Sequence, residues 1–128
     1  MPWCCEDETT PASEEMLEWA TQGSELHVPA LWTWEILNVV AVTVRRGRIT
    51  ADRAGEFLAQ LATLNFRIDA PPVVADFPRL QALAARHGLT AYDVAYLDLA
   101  MRLSLPLATQ DGDLRQAALG EGLEVLGQ

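Results

Sequence analysis

The chain has 128 residues, half of them apolar and 21% charged, which is one domain's worth of sequence with enough apolar material for a normal core. That balance excludes wholesale disorder, and no apolar run approaches the roughly 18–20 residues of a membrane span. The net charge of −9 argues against a protein that coats nucleic acid electrostatically, but not against an enzyme that grips phosphates through a bound metal.

The start, Met1-Pro2-Trp3-Cys4-Cys5-Glu6-Asp7-Glu8, has neither the basic region nor the apolar stretch of a signal peptide, so a cytoplasmic location is expected. Cys4 and Cys5 are adjacent, a poor geometry for a disulfide, and no CxxC or Cys/His cluster suits zinc. They read as small apolar packing residues. All nine basic residues are arginine.

A first helix is expected from Thr10 to Ala20, with Thr10 as cap, Pro11 in the first turn and Glu14 and Glu15 opposing the helix dipole. Glu25 to Val28 reads as a short extended piece running into Pro29. From Leu31 to Arg46 the sequence is almost continuously apolar, with Leu31, Trp34, Leu37, Val40, Ala41 and Val44 at helical spacing, and it ends in Arg45-Arg46-Gly47. Thr50 opens an amphipathic helix through Leu64, with Phe57, Leu58, Leu61 and Leu64 inward. Phe66 to Asp69 alternates like a strand and stops at Pro71-Pro72. Helices follow over Phe77–His87, ended by Gly88, and from Thr90 to about Leu103. Pro106 to Thr109 is a short buried strand, Asp113 to Leu119 a short helix, and Leu123 to Leu126 a last strand. Short apolar strands alternating with helices predict an α/β domain with a parallel sheet. The chain opens with a helix, and the strand that normally begins such a unit is missing from this reading.

In parallel α/β sheets ligands sit beyond the carboxyl ends of the strands, so carboxylates there are the first to question. Asp111 and Asp113 follow the strand ending at Thr109. Asp113 suits the N-cap of the next helix, and Asp111, nearest the strand end, is the better ligand candidate. Asp93 stands three residues after Thr90, the acidic position of a capping box, and a first-turn carboxylate there also faces a cleft. Glu35 lies among Leu31, Trp32, Trp34, Ile36 and Leu37 in a helix that looks buried on most sides. A carboxylate there needs a cation, a proton or a wet cleft, unless the helix dipole alone stabilises it. Three carboxylates from separate segments, without histidine or thiolate, make a hard-oxygen site suited to Mg²⁺ or Mn²⁺, and such an ion activates water against phosphate esters. His27 and His87 read as structural. The Trp32/Trp34 pair reads as core or dimer surface, and Arg45, Arg46 and Arg48 as a solvated helix end or phosphate contacts.

At these residues the chain resembles a family. Leu89-Thr90-Ala91-Tyr92-Asp93-Val94-Ala95-Tyr96-Leu97-Asp98-Leu99-Ala100 is similar to an "LTxYDAxYLxLA" helix start, Pro106-Leu107-Ala108-Thr109-Gln110-Asp111 to a "PLxTxD" strand end, and Trp34-Glu35-Ile36-Leu37-Asn38-Val39-Val40 to an "xExxNVL" helix. The three occur in the right order for the PIN-domain ribonucleases of the VapC toxin type, over essentially the whole chain. The resemblance implies a single PIN-like domain over residues 1–128, and an endoribonuclease dependent on Mg²⁺ or Mn²⁺ that hydrolyses RNA. It also implies a VapB-like antitoxin that blocks the site, and a homodimer. It makes Glu35, Asp93 and Asp111 the acidic catalytic residues, with Asp93 and Asp111 on the metal. Thr109 becomes their supporting hydroxyl, Asn38 an accessory polar residue and Asp113 an extra carboxylate.

The family opens with a hydrophobic strand ending in an aspartate, followed by a small residue and serine. Met1-Pro2-Trp3-Cys4 resembles what comes after that motif, so the opening central strand and its aspartate are expected to be absent and the domain amino-terminally truncated. The alternative function is then a non-catalytic remnant that acts only by binding an antitoxin or another protein. Receiver-type and haloacid-dehalogenase-type sites also gather carboxylates around Mg²⁺, but both rely on a lysine that this chain lacks.

Overall fold

In the computed structural model, which describes residues 2–5 (as backbone) and 25–126, five short strands form one all-parallel sheet. They are β1 (Pro2–Cys5), β2 (Glu25–Pro29), β3 (Phe66–Asp69), β4 (Leu107–Ala108) and β5 (Val125–Leu126), in the spatial order β3-β2-β1-β4-β5. The helices are α1 (Ala30–Arg45), α2 (Ala51–Leu61), α3 (Phe77–His87), α4 (Ala91–Leu103) and α5 (Gly112–Gly120), with a single 3₁₀ turn at Val74–Asp76. The helix expected over Thr10 to Ala20 lies outside the described residues.

The expected α/β architecture, a short parallel sheet with helices packed on it, is the one observed. The expected absence of an opening central strand is corrected. Pro2–Cys5 pairs in parallel with β2 through Trp3↔Leu26 and Cys4↔His27, and with β4 through Cys5↔Ala108. Four residues are too few for alternation to be read, and Pro2 argues against a central strand except as its first residue, the place it takes here. Without β1, both β2 and β4 would present unpaired edges.

Local signals set most boundaries. Thr50 caps α2 by accepting from the Arg53 N–H at 3.1 Å, and Thr90 caps α4 by accepting from the Asp93 N–H at 3.3 Å. Gly88 ends α3 with φ of +64°, a left-handed conformation that favours glycine.

One hydrophobic core joins Leu26 and Val28 of β2, Trp32 and Ile36 of α1, Leu83 of α3, five residues of α4 (Val94, Tyr96, Leu97, Leu99 and Ala100), Leu107 of β4 and Leu114 of α5. α4 packs on β1, β2, β4, α3 and α5, and is buried from Val94 through Ala100 apart from a half-buried Ala95. The inward stripe of α1 differs from the one the sequence suggests. Trp32, Ile36 and Val40 are buried at a spacing of four, Trp32 stacking on Phe66 at 4.7 Å between ring centroids. Trp34 is 73% exposed, and Leu37 is also exposed. In so apolar a helix several stripes have helical spacing, and the neighbouring sheet rather than the pattern selects one.

Candidate active site

The sheet reverses its strand order beside β1. From β1 the chain steps to β2 and β3 on one side, then crosses to β4 and β5 on the other. The crevice beyond the carboxyl ends at such a switch point is where parallel α/β sheets bind ligands. Thr109 and Asp111 follow β4 into that region.

Thr109 is 1% exposed, and its Oγ1 accepts from the Asp111 N–H at 3.0 Å. The Asp111 carboxylate in turn accepts from the Leu114 N–H at 2.9 Å through Oδ2. Asp111 is therefore the N-cap of α5, the role the sequence suggested for Asp113. Asp113 stands exposed in the first turn, favoured by the helix dipole. The cap employs one oxygen of a group with about four lone-pair sites, so capping and cation binding are compatible.

Asp93 is half-buried in the first turn of α4, three residues after the Thr90 cap. One turn further along the same helix, Tyr96 is 1% exposed and donates its hydroxyl to Glu35 Oε1. Residues three apart share a helix face, so Glu35 of α1 is held on the side of α4 that carries Asp93. Asn38 is exposed on α1, one turn beyond Glu35. Among the described residues, no three His, Cys, Asp or Glu side chains cluster closely enough to hold a metal ion.

Sequence reasoning passed over Tyr96 and Asp98. Tyr96 reads as one more core aromatic in an apolar helix. Asp98 is 7% exposed and accepts from Arg79 of α3 and from Arg102 one turn later. Arg102 also donates to Asp69 at the end of β3. The Asp69 hydrogen bond, reinforced by Asp98, holds the Arg102 guanidinium still further above its ordinary range, so it stays a cation. A usable signal existed for this pair, since Asp98 and Arg102 stand at i,i+4.

Both histidines take structural positions, as expected. His27 Nε2 lies 2.8 Å from Glu25 Oε1, and Arg67 Nε donates to Glu25 Oε2 at 3.0 Å. His87 Nε2 lies 2.6 Å from Glu121 Oε2, which Arg86 also reaches at 2.9 Å. The His87 hydrogen bond, then that of Arg86, holds the Glu121 carboxyl below its ordinary range.

Comparison with known proteins identifies the family of the chain. Residues 6–119 match the family model for the PIN domain. Ribonuclease VapC3 of Pyrobaculum aerophilum is 31% identical over 104 residues, which covers 81% of this chain and 79% of that protein. The crystal structure of PAE2754 from the same organism superposes with a TM-score of 0.71 at 22% identity, over 91% of this chain and 84% of the other. FitAcB from Neisseria gonorrhoeae gives 0.56 at 16% identity, over 99% and 97%. The family match runs from just after β1 into the last turn of α5, through each segment that carries the carboxylates described above, and the chain belongs to the PIN-domain family.

Proposed function

We propose that the chain is a metal-dependent endoribonuclease toxin of the VapC type, hydrolysing RNA phosphodiester bonds and neutralised by a cognate antitoxin. The observation that carries this reading is the hydrogen bond between α1 and α4, in which Tyr96, one turn along α4 from Asp93, donates to Glu35. The named activity of the 31% identical relative supports it.

The donor set fits a hard divalent cation in kind. Glu35, Asp93, Asp111 and Thr109 offer only oxygen, with no thiolate or imidazole among them. Asp93 and Asp111 would hold Mg²⁺ or Mn²⁺, with Glu35 beside them and Asn38 and Asp113 at the margin. Such an ion lowers the pKa of bound water and neutralises phosphate oxygens. That counter-charge also offsets, at the site, the repulsion between RNA and a chain whose net charge is −9. Within this reading Thr109 fixes the backbone of Asp111, Tyr96 fixes Glu35, and the Thr90 cap fixes the turn that bears Asp93. A homodimer, a VapB-like antitoxin and a cytoplasmic setting complete the proposal. No helix among the described residues is long and apolar enough to cross a membrane.

A second reading is a non-catalytic module that only binds an antitoxin. It keeps the antitoxin partner and drops the chemistry. One experiment separates the two: RNA cleavage with Mn²⁺ or Mg²⁺, alongside calorimetric titration of the same ions. The nuclease should cut RNA, lose that activity to a chelator, and bind the ion at a stoichiometric site. Asp93→Asn should cut activity by orders of magnitude without lowering the melting temperature. Absence of a specific ion site in the folded wild type would leave the binding module.

A further inference from the structure

We infer that Tyr96 is a positioning residue for Glu35, a role that rests on the nuclease reading above. Among the described residues Tyr96 is the largest of the fully buried side chains, 1% exposed and part of the hydrophobic core cluster, so its ring has little freedom to turn. Its hydroxyl bridges 61 residues of sequence to donate to Glu35 Oε1. Glu35 itself is half-buried, between the inward-facing Trp32 and Ile36 on α1.

The chemistry of the pair fixes the direction of this bond. An ionised carboxylate only accepts, so the phenol must be the donor, and hydrogen bonds to a charged acceptor are the stronger kind. A glutamate side chain has three rotatable bonds, and ordering them at the moment of ligand binding costs entropy. A phenol anchored in the core bears that cost during folding instead. Because Tyr96 and Asp93 share one face of α4, the same bond sets the position of the Glu35 carboxylate relative to Asp93. α1 contributes the charge, while α4 contributes both the second carboxylate and the gauge between them.

The test begins with Tyr96→Phe, which removes one oxygen and keeps the ring that the core needs. The melting temperature should stay close to wild type, while kcat for Mn²⁺-dependent RNA cleavage falls about 10–100-fold, the usual cost of losing a partner that orients a residue of a metal site. KM for RNA should change little, because Tyr96 does not touch substrate. In a Glu35→Ala background the same substitution should cost nothing further, since no carboxylate remains to orient. An NMR resonance from the Tyr96 hydroxyl proton, slowed in exchange by the bond, should vanish in both Tyr96→Phe and Glu35→Ala; this readout needs no activity. An active wild type with an equally active Tyr96→Phe variant overturns the positioning role and leaves the nuclease reading standing. The same loss from Tyr96→Phe with and without Glu35 also overturns it. A wild type that cuts no RNA while the hydroxyl resonance persists overturns the nuclease reading, and with it any catalytic role for a bond that is then purely structural.

Discussion

Arg102 Nε donates to the Asp98 carboxylate at 2.8 Å from one turn further along α4, while Arg79 of α3 occupies the other oxygen. Arg102 continues to Asp69, so one buried carboxylate ties α3, α4 and the end of β3 together. Removing it leaves two guanidinium groups without their shared acceptor. Both arginines are about half exposed and water can compensate in part. Asp98→Ala should therefore destabilise the fold by about 1–3 kcal/mol, the cost of orphaned polar groups, rather than the larger cost of a fully buried pair. Chemical denaturation checks this, and an unchanged midpoint would show that the network contributes nothing.

Asp111 carries a structural and a proposed chemical role that two substitutions separate. Asparagine caps helices about as well as aspartate, so Asp111→Asn should retain the bond to the Leu114 N–H and the melting temperature. Its RNA cleavage should nevertheless fall by orders of magnitude, as expected when a metal ligand loses its charge. Asp111→Ala should lose the same activity and, in addition, about 0.5–2 kcal/mol of stability. Equal stability in the two variants would remove the cap from the account.

Ser104 closes α4 with φ of +54°, in the left-handed region without being glycine. A side chain there costs roughly 1–2 kcal/mol, and part of that is offset by the greater freedom glycine gives the unfolded chain. Ser104→Gly should raise stability by about 0.5–1 kcal/mol while leaving RNA cleavage unchanged. A lower melting temperature would mean that the serine makes a compensating contact.

Glu121 supplies a pH signature. Its folded carboxyl is held below the ordinary value of 4.5, first by His87 and then by Arg86. The unfolded chain therefore takes up the proton at higher pH than the folded one, so stability from this group is present above about pH 4.5 and is lost as pH falls through the depressed folded value. Glu121→Gln should be less stable than wild type at pH 7, and the gap should close in acid below that folded value. Melts across pH 3 to 7 check the sign. A gap that widens in acid would contradict it.

Where a local rule sufficed, the sequence could be read almost to the residue. Thr50 and Thr90 cap the helices expected of them, Gly88 ends α3, and Pro71-Pro72 follow β3, because each of these residues acts on its own backbone. Decisions made across space were not legible. Trp34 and Trp32 sit two residues apart in an equally apolar run, yet Trp32 is the one that turns inward, to stack on the ring of Phe66 in the core. Pro2–Cys5 becomes a strand through its neighbours on either side, not through any pattern of its own. Of the candidate site, Glu35, Asp93 and Asp111 were chosen on placement and resemblance. The hydroxyl of Tyr96 was invisible for the same reason as the inward face of α1, since its acceptor lies 61 residues away.

The burial of α4 on nearly every side has a bearing on how such a chain can change over generations. Within thirteen residues the helix carries Asp93 and six buried positions, Tyr96 and Asp98 among them, leaving Ala91 and Tyr92 at one end and Arg102 and Leu103 at the other open to solvent. Drift is thereby pushed to the helix ends. A genetic screen for inactive variants will draw folding failures and chemical failures from the same short stretch of codons, and phenotype alone will not tell them apart.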